Sequence, residues 1–371
     1  MRKIVTCLLA VCAGGAAADH APPRVTVNLD LPPDQRWVAL LTQYNDTIHA
    51  ALQRLLEDEP AMKYLFDAAD LLFRNASNAV YLPPEHREEV ASISKVTGFP
   101  VGMLLVLNAM YDWSASGTID NRACTSIVAQ PPGAAPPIHG RNLDYPFRAA
   151  MEHLAATADF QRGGKTVYTA VTYLGTVNFN TVVVPGGWSL SHDERDQGFI
   201  GTNWVDMLLR RRVATFSRIR LLAESVTSYD ALVASLRSSK LDAPSYFVVA
   251  GAQPGEGAIV TRGRDSTDVD VFPLNASAGR WYVVETNYDH WVSPAHGDDR
   301  RHPAERALGE IGPAQIDPTT LMSVLSDTRC NTTEGQRSVL NSDTVYTSVM
   351  QPSSGKATTV MRTDDVPGCV H

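Results

Sequence analysis

Cys124 heads a β-prone run, Cys124-Thr-Ser-Ile-Val-Ala, directly after a small, polar stretch from Ser114 to Ala123. A thiol placed there can attack the carbonyl of the peptide bond in front of it. An N→S acyl shift and hydrolysis would then leave Cys124 with a free α-amine. Such an amine titrates near ~8 in water and lower in an apolar site, so it can serve as general base for its own thiol. Ala123 and Cys124 are therefore the candidate self-cleavage pair, and Cys124 the candidate nucleophile. A lone cysteine opening a strand is otherwise a buried small residue.

The second cluster is His139-Gly140-Arg141-Asn142-Leu143-Asp144-Tyr145. If 138–143 pairs with 124–130 as a hairpin, Arg141 and Asp144 end near the start of the first strand. Arg141 would then orient an acyl carbonyl or a thiolate, and Asp144 would accept a hydrogen bond from the Cys124 ammonium. The alternative is an ordinary Arg–Asp pair holding a turn. Asn287, closing the run Glu285-Thr286-Asn287, could donate its amide to an oxyanion, or be a turn asparagine. Asp193-Glu194-Arg195-Asp196 sits before a helix. It reads as a solvated charge run, with Glu194 a candidate for the site entrance. His139, His192 and His290 read as structural. No H-e-x-x-H, C-x-x-C or G-x-S-x-G pattern occurs, so neither a metal site nor a serine hydrolase has local support. No metal and no cofactor are expected.

These residues need elements to hold them. Over 34–112 the apolar residues step by three or four (Trp37, Leu41, Tyr44, Ile48, Leu52, Leu55, then Met62, Leu65, Phe66, Ala69, Leu72, Phe73), which predicts helices broken at Leu82-Pro83-Pro84. Strands are predicted at 124–129, 138–143, 165–173, 181–184 and 188–191. Helices follow at about 200–239, and strands at 245–250, 258–261, 268–273 and 281–285. A helical stretch near 303–325 leads to final strands at 344–350 and 357–362. Strands grouped around helices suggest an α+β fold of stacked sheets with outer helices.

The chain has 371 residues, 44% hydrophobic and 19% charged, which supports a sizeable core. Its net charge of −8 argues against a nucleic-acid partner. Arg2-Lys3, the apolar run Ile4 to Cys12 and Ala16-Ala17-Ala18 read as a signal peptide over residues 1–18. Removing it leaves Cys124, Cys330 and Cys369, an odd number. The simplest division pairs Cys330 with Cys369 and leaves Cys124 free, though other pairings stay open. Sequons at Asn45, Asn75, Asn275 and Asn331 agree with a luminal route. Apolar helix surface within 34–112 is either core or a face for membrane and lipid.

The chain resembles the family of N-acylethanolamine acid amidase and acid ceramidase, among the N-terminal nucleophile hydrolases. The resemblance lies in Asn28-Leu-Asp-Leu-Pro-Pro, Cys124-Thr-Ser-Ile-Val-Ala-Gln, His139-Gly-Arg-Asn-Leu-Asp-Tyr-Pro-Phe, Asp193-Glu-Arg-Asp, Gly255-Glu-Gly, Glu285-Thr-Asn-Tyr-Asp-His-Trp and Asp298-Asp-Arg-Arg. It implies an αββα sandwich with an added helical N-terminal subunit. It also implies a precursor cut before Cys124 into an α-subunit (19–123) and a catalytic β-subunit (124–371) that stay together. Cys124, Arg141, Asp144 and Asn287 would be catalytic, with Tyr145, Glu194 and Arg300 at the substrate. The implied activity is lysosomal, with secretion as the other destination: hydrolysis of lipid amides, closer to the acylethanolamine branch than to the ceramidase branch. One departure is Thr176-Val177-Asn178 after Gly175, where the family has an aromatic and a second glycine; this loop bears on head-group preference.

Overall fold

The computed structural model describes residues 19–73, 79–115, 123–145, 148–294, 297–330 and 337–363. The leader, Asn75, Asn331, Cys369 and most of the stretch before Ala123 lie outside them. Of the described sequons, Asn275 is exposed on a turn, whereas Asn45 is half-buried in a helix with its Oδ1 covered. Cys330 is disulfide-bonded, to a cysteine outside the described residues, and Cys124 is free and buried.

The stepping apolar residues do form helices. These are α1 (Val38–Asp58), α2 (Pro60–Leu72), α3 (Pro84–Thr97), α4 (Val101–Leu107) and α5 (Met110–Ser114). Prolines Pro60 and Pro84 open α2 and α3, because a first-turn N–H has no helical partner to lose. Helix α1 buries Leu41, Ile48, Leu52 and Leu55 on one face. No described helix is long and apolar enough to cross a membrane.

Ahead of the helices predicted over 34–112 lies a strand that the sequence does not predict. Strand β1 (Arg24–Asn28) joins the main sheet as a parallel edge, pairing Arg24 with Thr157 through Asn28 with Gln161 on β4 (Ala155–Arg162). Strand β4 was also missed. Its Ala155, Ala156 and Ala158 have weak strand preference, and only burial under the helices makes them suitable.

The catalytic body begins with the hairpin β2 (Ala123–Ala129) and β3 (Ile138–Asp144), followed by α6 (Arg148–Leu154) and β4. Next come β5 (Lys165–Tyr173), β6 (Phe179–Val184) and β7 (Trp188–Glu194). Helix α7 (Ile200–Trp204) runs into a π turn at Val205–Leu209, then α8 (Thr215–Ser225) and α9 (Tyr229–Ser238). Strands β8 (Ser245–Gly251), β9 (Gly257–Arg262), β10 (Val269–Pro273) and β11 (Tyr282–Glu285) follow. The chain closes with α10 (Arg301–Ile311), α11 (Pro318–Leu325), β12 (Thr344–Gln351) and β13 (Lys356–Met361).

The strands make two sheets, ordered β1-β4-β5-β6-β7-β8-β9-β10 and β11-β2-β3-β12-β13. Alternation along β2 decides what goes where. Ile127 and Ala129 face a layer of α10 and α11 residues, including Leu308, Leu321 and Leu325. Val128 faces the large sheet, against Tyr246, Val248 and Ile259. On the far side of the large sheet lie α8, α9 and the N-terminal helices, with Trp37 packed edge-on to Phe160. The expected αββα sandwich is therefore what forms.

Candidate active site

The β2–β3 hairpin sets the geometry. Its register opposes Cys124 to Leu143, Ser126 to Arg141 and Ala123 to Asp144. Cys124, Ser126 and Arg141 thus share the face that meets the large sheet, whereas Asp144 belongs to the other face. Arg141 Nη2 donates to Cys124 Sγ at 3.2 Å. Its Nη1 is fixed by the Asn180 carbonyl at 2.9 Å and Thr181 Oγ1 at 2.8 Å. Burial pushes the thiol up to about 12, and Arg141 opposes that rise.

Asn287 follows β11 with φ 74°, a left-handed conformation that asparagine tolerates. The Glu285 carboxylate shapes this turn by accepting from the N–H groups of Thr286 (3.0 Å) and Asn287 (2.9 Å). Asn287 Oδ1 accepts from the Cys124 backbone N at 2.5 Å. Its Nδ2 is committed to the Glu194 carbonyl at 2.9 Å. One of its amide N–H groups is thus engaged, while its oxygen holds the Cys124 nitrogen, a contact the sequence does not predict.

Asp144 does not reach the Cys124 nitrogen. It accepts from Asn341 Nδ2 at 2.8 Å and Thr344 Oγ1 at 2.7 Å, and lies 3.9 Å from Arg300. Arg300, expected at the substrate, is wholly buried and outside the cleft lining. It donates to the carbonyls of Cys124 and Thr286, to Asn287 Oδ1 at 3.1 Å, and to both oxygens of Asp298. It clamps the backbone of Cys124.

Tyr145 and Glu194 do line the cleft with Cys124, Arg141 and Asp144. The cleft encloses about 1180 Å³, open mouth included. Leu52 and Leu55 of α1, Leu104 and Leu107 of α4, and Met110 form much of its apolar wall. Both segments flanking the Ala123–Cys124 bond therefore build one cavity. Thr176 and Asn178 also reach it, and Asn178 Nδ2 is tied to the Asn108 carbonyl at 3.0 Å. Among the described residues no cluster of His, Cys, Asp or Glu is arranged to hold a metal.

The Asp193–Asp196 run is not the solvated face its composition suggests. Strand β7 extends through Glu194; Asp193 is wholly buried, and Arg195 is buried against Asp289 at 2.9 Å. Asp193 and Glu285, wholly buried beside these residues but outside the cleft lining, are not predicted from the sequence. Their one available signal was sequence adjacency to Glu194 and Asn287. His139 is structural as read, bridging Ser189 and Ser191 at 2.9 Å each, with burial driving its pKa down to about 3.

A family model described as the beta subunit of N-acylethanolamine-hydrolyzing acid amidase matches residues 20–74. The rat enzyme of that name is 34% identical over 90% of this chain and 87% of its own length. The chain belongs to the N-acylethanolamine-hydrolyzing acid amidase and acid ceramidase family. Human acid ceramidase is 32% identical over 96% of this chain and 95% of its own. A solved Caenorhabditis elegans ortholog of the amidase superposes with a TM-score of 0.54 at 34% identity, covering 62% of this chain and 93% of its own. Membership in this family makes the chain an amide hydrolase. The family's label "beta" falls on the N-terminal segment, which the sequence reading had named α.

Proposed function

We propose that the chain is an acid amidase that hydrolyses N-acylethanolamines to a fatty acid and ethanolamine through a Cys124 thioester, after cutting itself at Ala123–Cys124. The carrying observation is the thiol at an apolar cleft, 3.2 Å from a buried guanidinium, with its backbone nitrogen held by Asn287. In the uncut chain that nitrogen is an amide. Cleavage turns it into an amine that takes the thiol proton as sulfur attacks the substrate carbonyl. Arg141 Nη2 is the donor placed to stabilise the resulting oxyanion. The amine returns the proton to the leaving ethanolamine nitrogen, and water then hydrolyses the thioester.

The amidase relatives support this substrate class, and the leader and sequons support a lysosomal destination. The solved ortholog chain is about two-thirds as long as this one, close to the share beyond Ala123, which supports a two-piece mature form. Exposed Tyr64, Leu71 and Leu72 on α2, with Phe199, Trp204 and Leu209 around α7, support contact with a lipid surface. The human ceramidase match, over nearly the whole chain, favours ceramide as the second reading.

Cys124→Ala is expected to remain one chain on a reducing gel after acid incubation and to hydrolyse nothing. An active Cys124→Ala protein would refute the proposal. Turnover of palmitoylethanolamide beside a short-chain ceramide separates the two substrates. The same assay with and without liposomes reads the surface contact.

A further inference from the structure

One step along the sheet from the nucleophile lies a row of three opposed residues, Glu285, Ser126 and Arg141. Strand β7 sets Asp193 over this row. Its Oδ1 accepts from Ser126 Oγ at 2.9 Å, and its Oδ2 is buried with no partner. Ser126 in turn accepts from Ser191 Oγ at 2.8 Å, which leaves the Ser126 proton for Asp193.

Arg141 is wholly buried, and no carboxylate among the described residues lies within ion-pair distance of it. Its bonds go to sulfur, a carbonyl and a hydroxyl. The nearby Arg300 is already engaged by Asp298 and Asp144. One buried cation thus faces two claimants: the negative charge that grows on sulfur and oxyanion, and Asp193.

We propose that Asp193 is the residue that confines the reaction to acid: its carboxyl must carry a proton for Arg141 to give its charge to the reacting atoms. This rests on the reading of Cys124 as nucleophile. Asp193 acts through Arg141 and touches no substrate, so it is a positioning residue.

The charges around it agree. Burial raises Asp193 to about 6, with Arg141, the Ser126 hydrogen bond and Arg300 opposing and Asp144 adding to the rise. On β2 it faces Cys124 and Ser126, on β3 Arg141 and Asp144, on β8 its register partner Tyr246, and on β12 Tyr346. Glu285 on β11 is pushed up to about 8 by burial first and Asp193 second, so it is neutral in the acid range. Below about 6, Asp193 is neutral and no longer offsets Arg141 at the sulfur, where Arg300 and Asp144 act at every pH. Above that value the carboxylate opposes it, and the rate falls as pH rises.

The test uses the full chain as wild type, Asp193→Asn and Ser126→Ala, read two ways from about pH 4 to about pH 8. One readout is kcat/KM on palmitoylethanolamide. The other is alkylation of Cys124 by iodoacetamide, followed by mass spectrometry, which needs no substrate. Asp193→Asn, neutral at every pH, should match wild type in acid and exceed it on the order of ten-fold near pH 7.5 in both readouts. Ser126→Ala removes a bond that favours the carboxylate, so the alkaline limb should move to higher pH.

A wild-type limb and wild-type alkylation in Asp193→Asn would overturn the proposal, as would a loss equal at all pH values. If Asp193→Asn fails to mature, an unmoved limb in Ser126→Ala overturns it instead. Hydrolysis surviving Cys124→Ala would sink the nucleophile reading separately, and the alkylation arm would still decide the influence of Asp193.

Discussion

At the scale of single residues, the site is a device for holding one amino acid by all its polar atoms. The sulfur rests on Arg141, the nitrogen on Asn287 and the carbonyl on Arg300. Arg300 makes these bonds as a planar fork, which a lysine ammonium cannot reproduce. Arg300→Lys is expected to lower kcat about ten- to hundred-fold and leave KM nearly unchanged, because the cleft lining is untouched. Steady-state kinetics decide this; a raised KM at constant kcat would restore Arg300 to substrate binding. Cys124 and Arg141 were legible because a hairpin register follows from two short strands and the turn between them. The true orientation of the Asn287 amide was not, since it is fixed by the Glu194 carbonyl, 93 positions away in sequence. Asp193 was hidden for a related reason: a charge run looks solvated until a second sheet covers it.

At the scale of elements, the joint between the N-terminal helices and the catalytic body carries two buried electrostatic contacts of opposite pH sense. Glu89 of α3 accepts from Arg36, from Trp37 and from Arg220 of α8. Burial alone would raise it; Arg220 outweighs that and brings it to about 2. Its stabilisation is present above the ordinary glutamate value and is lost as pH falls through about 2. Asp112 of α5 and Asp242, on opposite sides of the Ala123–Cys124 bond, both accept from Thr215, Asp112 from its N–H at 3.0 Å and Asp242 from its hydroxyl at 3.2 Å, and burial raises both. Their stabilisation is complete below the ordinary aspartate value and is lost as pH rises through the raised values. The joint is therefore strongest in moderate acid. Glu89→Gln, leaving buried Arg220 with Glu224 alone as counter-charge, should cost about 3 kcal/mol. Asp112→Asn should flatten the decline of Tm as pH rises above the ordinary aspartate range. Thermal scans against pH check both, and an Asp112→Asn profile parallel to wild type would count against the second. Helices α1 to α4 were readable because one apolar face repeats over many residues. Strands β1 and β4 were not: β1 alternates exposed and buried residues but over only five positions, its partner lies some 133 positions away, as Thr157 does from Arg24, and β4 is rich in alanine.

At the scale of the whole molecule, the sandwich and the cavity do not respect the proposed cut. Strand β1 is the edge of the eight-stranded sheet, and α1 and α4 wall the cleft that holds Cys124. The order of layers was legible from strand groups on either side of helices; the interpenetration of the two segments was not, because apolar faces show that they are covered but not by what. A parallel edge strand contributed from one piece to the sheet of another can be placed cheaply only while a tether limits the search, since ordering distant strands is slow and entropically costly. The proposed cut would remove that tether, and a two-piece protein would then persist by unfolding slowly and not by finding its way back. Urea-unfolded uncut precursor should refold on dilution and regain activity after acid treatment, whereas unfolded mature protein should not; equal recovery from both would disprove this. The proposed cut would thus make each mature molecule a single-use assembly: its working life would be set by the first opening of that sheet edge, and thermal damage counted in lost molecules and not in a shifted equilibrium.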